Sequence, residues 1–309
     1  MKNLPLKNES FNYVEQSFKE WLIILGYAPS TVYQLPNYIH EFFHHLEQKG
    51  VQQITDIAPK HFKEHYQLLK QRSNQRRGGG LSNNYLNKHL QGLYKFADYL
   101  RQSGRLQLGS LNIDWEREDK EAINYLSQEE IQILFAATYK DERRNHLNVR
   151  DRALLCIFYG CGLRRNEGVH LDLSDVNYDR KIIHVRKGKN YKERFVPFNK
   201  STSQYLQEWV YDARPLLCSD ATDNAFFISQ KNRRMDGQSM AIRMKLLQQK
   251  TEDINLQSKN IRLHVLRHSI ATHLLQNGMT LEKIGRFLGH SSLESTQVYT
   301  HLAKEDEQY

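Results

Sequence analysis

The sequence predicts a mainly α protein of two domains, the first all-helical and the second α+β with one small β-hairpin. Three observations carry that prediction. Apolar residues recur at three- and four-residue steps over most of the chain, capping residues and prolines punctuate those runs, and only residues 181–198 alternate like strands around a turn. A length of 309 residues suits about two domains of ordinary size.

Phe11, Val14, Phe18, Trp21, Leu22 and Leu25 form the first helical stripe. Val32, Leu35, Ile39, Phe42, Phe43 and Leu46 form the second, with Ser30 as its expected cap and Pro36 expected to kink or delay it. Pro59 fits the first turn of a third helix, ahead of Phe62, Tyr66 and Leu69. Ser82 caps a fourth, which carries Leu86, Leu90, Leu93, Phe96 and Leu100 and stops at Gly104. Together these predict a helical domain over residues 1–107. Residues 108–124 lose the periodicity and become charged, the pattern of an interdomain linker.

The second domain is expected over residues 125–309. Ser127 and Glu130 have capping-box spacing before Ile131 and Leu134. An apolar run follows at 153–163, then strand-like segments at 181–186 and 193–198, then helices near 201–213, 236–250, 264–277, 280–288 and 293–303.

Forty-four basic against thirty-five acidic side chains give a net charge of +9 and favour a polyanionic partner. Much of that excess lies between residues 51 and 110, where ten Lys/Arg face three Asp/Glu. This segment is either a solvated surface or a phosphate-contacting face. The mean hydropathy of −0.71, with no run of about 18 apolar residues, argues against a membrane-spanning helix. The first residues lack the apolar stretch of a secretory signal, and the three cysteines, Cys156, Cys161 and Cys218, lack C-x-x-C spacing. Both features fit a reducing cytoplasm without disulfides or structural zinc.

Two residue sets carry possible chemistry. His40-Glu41-Phe42-Phe43-His44 is an H-E-x-x-H, with Glu64 downstream as a possible third ligand, so a zinc peptidase must be weighed. Against it, the residues before the motif are patterned as helix and loop, leaving no sheet to bind a peptide substrate. The alternative is that His40 and His44 merely flank the core stripe. The second set is Gly162-Leu163-Arg164-Arg165-Asn166-Glu167, Gly188-Lys189, His264 with Arg267, Gly289-His290, and Tyr299. Each fragment alone is weak, and the order of the fragments holds the information.

In that order, CGLRRNE, GKNYKERFVP, HVLRHSIATHLLQNG and IGRFLGHSSLESTQVYTH resemble the tyrosine recombinases, also called phage-type integrases, and among them the Xer-like members. The likeness runs from about Ser127 to His301, and the preceding four-helix segment looks like the family's core-binding domain. It implies an N-terminal core-binding domain that clamps DNA and a C-terminal tyrosine-recombinase catalytic domain. It further implies site-specific cutting and rejoining of duplex DNA through a 3′-phosphotyrosine, without metal, ATP or other cofactor. By position it makes Arg164, Lys189, His264, Arg267 and His290 catalytic, Tyr299 the nucleophile and Glu167 a supporting acid. Arg76, Arg77, Lys88, Lys95, Arg165 and Lys192 are candidate DNA contacts.

The partner implied is double-stranded DNA carrying an inverted-repeat site, met by a homotetramer assembled on synapsed DNA from monomers in solution. A type IB topoisomerase uses similar chemistry and is the alternative reading. Two departures from the family pattern stand beside Arg164: Asn166, where serine is more usual, and Gly168, where a larger apolar residue is common, and they are expected to loosen the packing beside Arg164 without removing it. Ten residues follow Tyr299, fewer than the further helix common in Xer-like relatives, which leaves cyclic tail exchange open. His268 and His273 match no catalytic position and are expected to be packing or surface residues.

Overall fold

A computed structural model describes residues 4–75, 78–117, 124–140, 145–186, 193–218 and 224–289. The chain divides into two compact units, Met1–Glu121 and Ala122–Tyr309.

The first unit is built on α1 (Glu9–Ile24), α2 (Pro29–Gln48), α3 (Pro59–Gln71) and α4 (Asn83–Gln102). Asn8 caps α1, its side chain accepting from the Phe11 N–H at 3.2 Å. Contrary to the expectation for Ser30, α2 opens at Pro29 and Ser30 lies inside it. Proline at the first helical position has no N–H to leave unpaired, which makes a polar cap unnecessary. The helix also continues through Pro36, whose neighbours Leu35 and Ile39 are buried. Pro59 begins α3 as its composition suggests. Ser82 caps α4 through the Tyr85 N–H at 3.3 Å, and Gly104 takes the left-handed conformation (φ +68°) just beyond its end. Aromatic packing fills the core: Phe11 stacks on Phe43 at 4.7 Å between ring centroids, and Phe42 meets Phe62 at 4.5 Å.

Residues 108–117, read from sequence as linker, lie along this unit. Leu108 and Leu111 are buried in its aromatic core. Asn87 clasps the backbone of Glu116 in both directions at 2.9 Å, and Lys70 pairs with the Glu116 carboxylate at 2.7 Å.

The second unit opens with α5 (Gln128–Ala137), where Ser127 accepts from Glu130 N and Glu130 accepts from Ser127 N, a closed capping box. Next comes α6 (Asn145–Leu155), which runs into a π-helical turn at Cys156–Gly160 and thence to the short α7 (Arg165–Val169). The sheet has three antiparallel strands in the order β1 (Val176–Asn177), β2 (Ile182–Val185), β3 (Arg194–Pro197). Ile183 faces Val196 in the ladder and both are fully buried, so one face of the hairpin belongs to the core. The remaining α-helices among the described residues are α8 (Lys200–Gln207), α9 (Gly237–Lys250), α10 (Ile254–Ser258), α11 (Leu263–Gln276) and α12 (Leu281–Leu288), and α8 continues into a π-helical segment at Glu208–Ala213. Trp209 anchors the core, its indole N–H donating to Phe226 O at 2.9 Å. The helix expected over residues 293–303 lies outside the described residues.

Candidate active site

Arg164 is the N-cap of α7, and the carboxylate of Glu167 at the third helical position folds back onto it. Glu167 accepts from the Arg164 backbone N–H at 2.8 Å and from its Nη1 at 2.9 Å. The other guanidinium nitrogen of Arg164, Nη2, donates to Gly289 O at 2.8 Å. Arg267 projects from α11 and is buried; its Nη1 donates to Gly162 O and its Nη2 to Leu288 O at 2.7 Å. Two guanidiniums from distant parts of the sequence thus hold consecutive carbonyls at the end of α12. Cations at a helix C-terminus meet the negative end of its dipole, and here they also satisfy carbonyls that the helix leaves without partners.

Glycine is required where they meet. Gly289 adopts φ +66°, and an added Cβ would lie 2.8 Å from Arg194 Cδ. Gly162 adopts φ +60° with Leu288 Cδ2 2.9 Å from its notional Cβ.

Glu167 is nearly enclosed, with 2% of its side chain exposed. Burial alone would raise its pKa, but hydrogen bonds and charge from Arg194 and Arg164 outweigh that and hold it at about 2. It is a carboxylate at every working pH. His264, in the first turn of α11, has its pKa lowered by desolvation and by the charges of Arg267, Arg165 and Arg164, against the pull of Glu167. Its imidazole is therefore the neutral form near pH 7, able to accept a proton.

The structure brings Arg164, Glu167, His264 and Arg267 together. Lys189, Lys192, His290, Tyr299, Arg76 and Arg77 lie outside the described residues. Among the candidate DNA contacts, Lys88 and Arg165 are exposed. Lys95 is half-buried, 3.8 Å from Asp98 and 5.7 Å from the centre of the Tyr27 ring. In the basic segment, Arg72 pairs with Glu41 at 2.9 Å and Arg101 with Asp98 at 2.6 Å, so part of its charge is answered internally.

Gly168 corrects an expectation from sequence. Its missing side chain does not loosen the packing beside Arg164, because the Phe158 ring fills the space, with Cζ 2.6 Å from where a Cβ would sit. His268 and His273 are partly buried and buried respectively, and His273 Nδ1 lies 2.9 Å from the Tyr159 hydroxyl. In the HEFFH motif, His40 Nδ1 lies 2.7 Å from Glu15 and its Nε2 2.9 Å from Leu4 O, while His44 Nδ1 lies 3.0 Å from Pro5 O. Glu41, the motif's would-be base, carries the Arg72 ion pair. These groups fasten the N-terminal segment to α2, and no cluster of metal-ligating side chains occurs among the described residues.

Sequence reasoning missed Arg194. It donates to Glu167 Oε1 from Nη1 at 2.9 Å, to Oε2 from Nη2 at 2.8 Å, and to Phe287 O from Nε at 3.2 Å. A signal was available in the parity of β3: Arg194 and Val196 are two residues apart, so both point to the face on which Val196 is fully buried.

Residues 124–306 match the family model described as the phage integrase family, and the chain belongs to that family. Its relatives place it among the Xer-like tyrosine recombinases. Tyrosine recombinase XerD of Oceanobacillus iheyensis is 33% identical over 227 residues, 73% of each chain. Tyrosine recombinase XerD of Corynebacterium glutamicum is 30% identical over 291 residues, 92% of each. The fold is that of a solved XerH site-specific recombinase bound to palindromic difH substrate in a post-cleavage complex, at a TM-score of 0.72 and 18% identity. That match covers 100% of this chain and 96% of the other.

Proposed function

We propose that this protein is a site-specific recombinase that cuts and rejoins duplex DNA through a 3′-phosphotyrosine. The observation that carries this reading is the convergence of Arg164 and Arg267 on the carbonyls of Leu288 and Gly289, immediately before His290. Two permanently charged forks fixed at one place are suited to neutralising the non-bridging oxygens of a phosphodiester as charge builds on them. Family membership supports the reading, as do the relatives named tyrosine recombinases and solved neighbours described as bound to DNA substrates.

In this mechanism the Tyr299 hydroxyl attacks phosphorus, and its proton passes to His264 or His290. The bond to the 5′ oxygen breaks, and Lys189 gives that oxygen its proton. The new phosphotyrosine keeps the energy of the phosphodiester, so a 5′-hydroxyl from another strand reverses the step and restores the phenol. Neither ATP nor a cofactor takes part. Glu167 supports Arg164. Lys88 and Arg165, with Arg76, Arg77, Lys95 and Lys192, contact the DNA backbone. The helical unit acts as the core-binding clamp, residues 125–309 as the catalytic domain, and the working assembly is a tetramer on two synapsed inverted-repeat sites, formed from monomers in the cytoplasm.

Incubation with nicked suicide duplexes carrying candidate sites tests this. The wild-type chain is expected to leave a covalent protein–DNA adduct, and Tyr299→Phe to bind without forming one. An adduct that survives in that variant moves the nucleophile elsewhere. Relaxation of a plasmid of arbitrary sequence by the protein alone would turn the reading towards a topoisomerase.

A further inference from the structure

Arg194 stands on β3, five residues after Lys189 in the sequence, and reaches three parts of the site from there. Its fork grips both oxygens of Glu167, its Nε holds Phe287 O, and its stem fills the space a side chain at Gly289 would need. We propose that Arg194 is a positioning residue for strand transfer, locking Glu167, and through it Arg164, to the hairpin and to the carbonyl end of α12. The inference rests on the recombinase reading above and adds to it a residue that fixes the relative placement of the first arginine, the hairpin and the segment running to His290.

The geometry explains why one arginine is needed there. Without Arg194, the described donors to Glu167 are one per oxygen, both from Arg164: its backbone N–H to Oε2 and its Nη1 to Oε1. Arg194 supplies a second donor to each oxygen, and a buried carboxylate needs such compensation. The charge balance matters as well. Glu167 paired with Arg164 alone would cancel the charge intended for phosphate, whereas one carboxylate between two guanidiniums leaves a positive charge uncompensated beside Arg267. Both arginines also reach the same turn: Arg164 holds Gly289 O, while Arg194 holds Phe287 O and packs against Gly289. Moving β3 therefore moves the carbonyl end of α12. Lysine has one compact charge and no planar fork, so it can restore the attraction to Glu167 without the bidentate alignment.

The test is single-turnover adduct formation by wild type, Arg194→Gln, Arg194→Lys, Glu167→Gln and Arg194→Gln/Glu167→Gln between about pH 5 and about pH 8, alongside DNA affinity and urea unfolding. Arg194→Gln is expected to slow adduct formation roughly ten- to a hundred-fold while DNA affinity stays within about two-fold. Arg194→Lys should recover part of the rate. Wild type should show no acid limb from Glu167, and Arg194→Gln should acquire one that the double variant lacks. A role confined to folding would lower the urea midpoint without creating that limb. Arg194→Gln reacting at the wild-type rate across the range overturns the proposal, as does a loss of rate matched by loss of DNA affinity. Failure of the wild type itself to form an adduct would refute the recombinase reading. Unfolding of the same variants would then still decide the structural half, since additive effects of Arg194→Gln and Glu167→Gln would refute the clamp.

Discussion

One buried cluster in each unit handles polarity in an opposite way. In the helical unit His65 and His89 are 2% and 0% exposed, and neither ring nitrogen of either residue has a hydrogen-bond partner among the described residues. In the second unit Glu167 accepts four hydrogen bonds, and Asp151, fully buried, receives Nε and Nη2 of Arg243 at 3.1 and 2.5 Å. Imidazole can be buried without partners because it can shed its charge: desolvation first, then neighbouring positive groups, lower His65 and His89 to about 3. Guanidinium has no such escape, so every buried arginine must be matched with an acceptor at a fixed place. Around Glu167 the second unit consequently holds its buried charges by paired donors at fixed places, which is what chemistry at a phosphate requires.

The largest expected effect breaks a matched pair. Arg243→Leu strands Asp151 in the core and should cost about 3 to 5 kcal/mol, seen as a lower urea midpoint for the second unit. A change below about 1 kcal/mol would show that the pair is not holding α6 to α9. Next, Gly168→Ala forces a methyl against the Phe158 ring, with an expected loss of about 1 to 3 kcal/mol. Combining it with Phe158→Leu should recover stability, and simple additivity would mean the clash is not the cause.

Acid titration sharpens the contrast from the other side. The native state favours neutral His65, whereas the unfolded chain protonates near pH 6.5, so stability is full above that pH and falls as pH drops towards about 3. The slope should be about 1.4 kcal/mol per pH unit for each such imidazole, and His65→Leu should remove one increment of it. An unchanged slope in that variant would assign the acid sensitivity elsewhere. The smallest effect belongs to the HEFFH motif: Glu15→Gln, beside the half-exposed His40, should shift stability by no more than about 0.5 kcal/mol, and adduct formation should not change.

Much of the framework was legible because its causes are local. Ser82, Ser127 with Glu130, and Pro59 act within one helical turn, and the apolar spacing of Phe11, Val14, Phe18 and Leu22 states which face is buried. Ser30 and Pro36 misled because a proline start and tertiary burial replaced the cap and carried the helix on. Leu108 and Leu111 gave too sparse an apolar signal to reveal their place in a core. At the site, Arg164, Glu167, His264 and Arg267 were legible as an ordered pattern. Their anchors were not, since the carbonyls of Gly162, Leu288 and Gly289 are backbone atoms with no residue signature. Nothing in the local charge pattern sets Arg194 apart from Lys192 and Glu193, although the register opposite Val185 and the burial of Val196 turn it inward.

Anchoring Arg164 and Arg267 to backbone carbonyls also divides the protein's response to ionic strength. Exposed charges such as Lys88 and Arg165 exchange their counter-ions freely, so added salt weakens whatever they attract. A guanidinium enclosed like that of Arg267, already seated on Gly162 and Leu288, is screened far less. Raising the electrolyte concentration should therefore reduce how much DNA is captured while barely altering how fast captured DNA reacts.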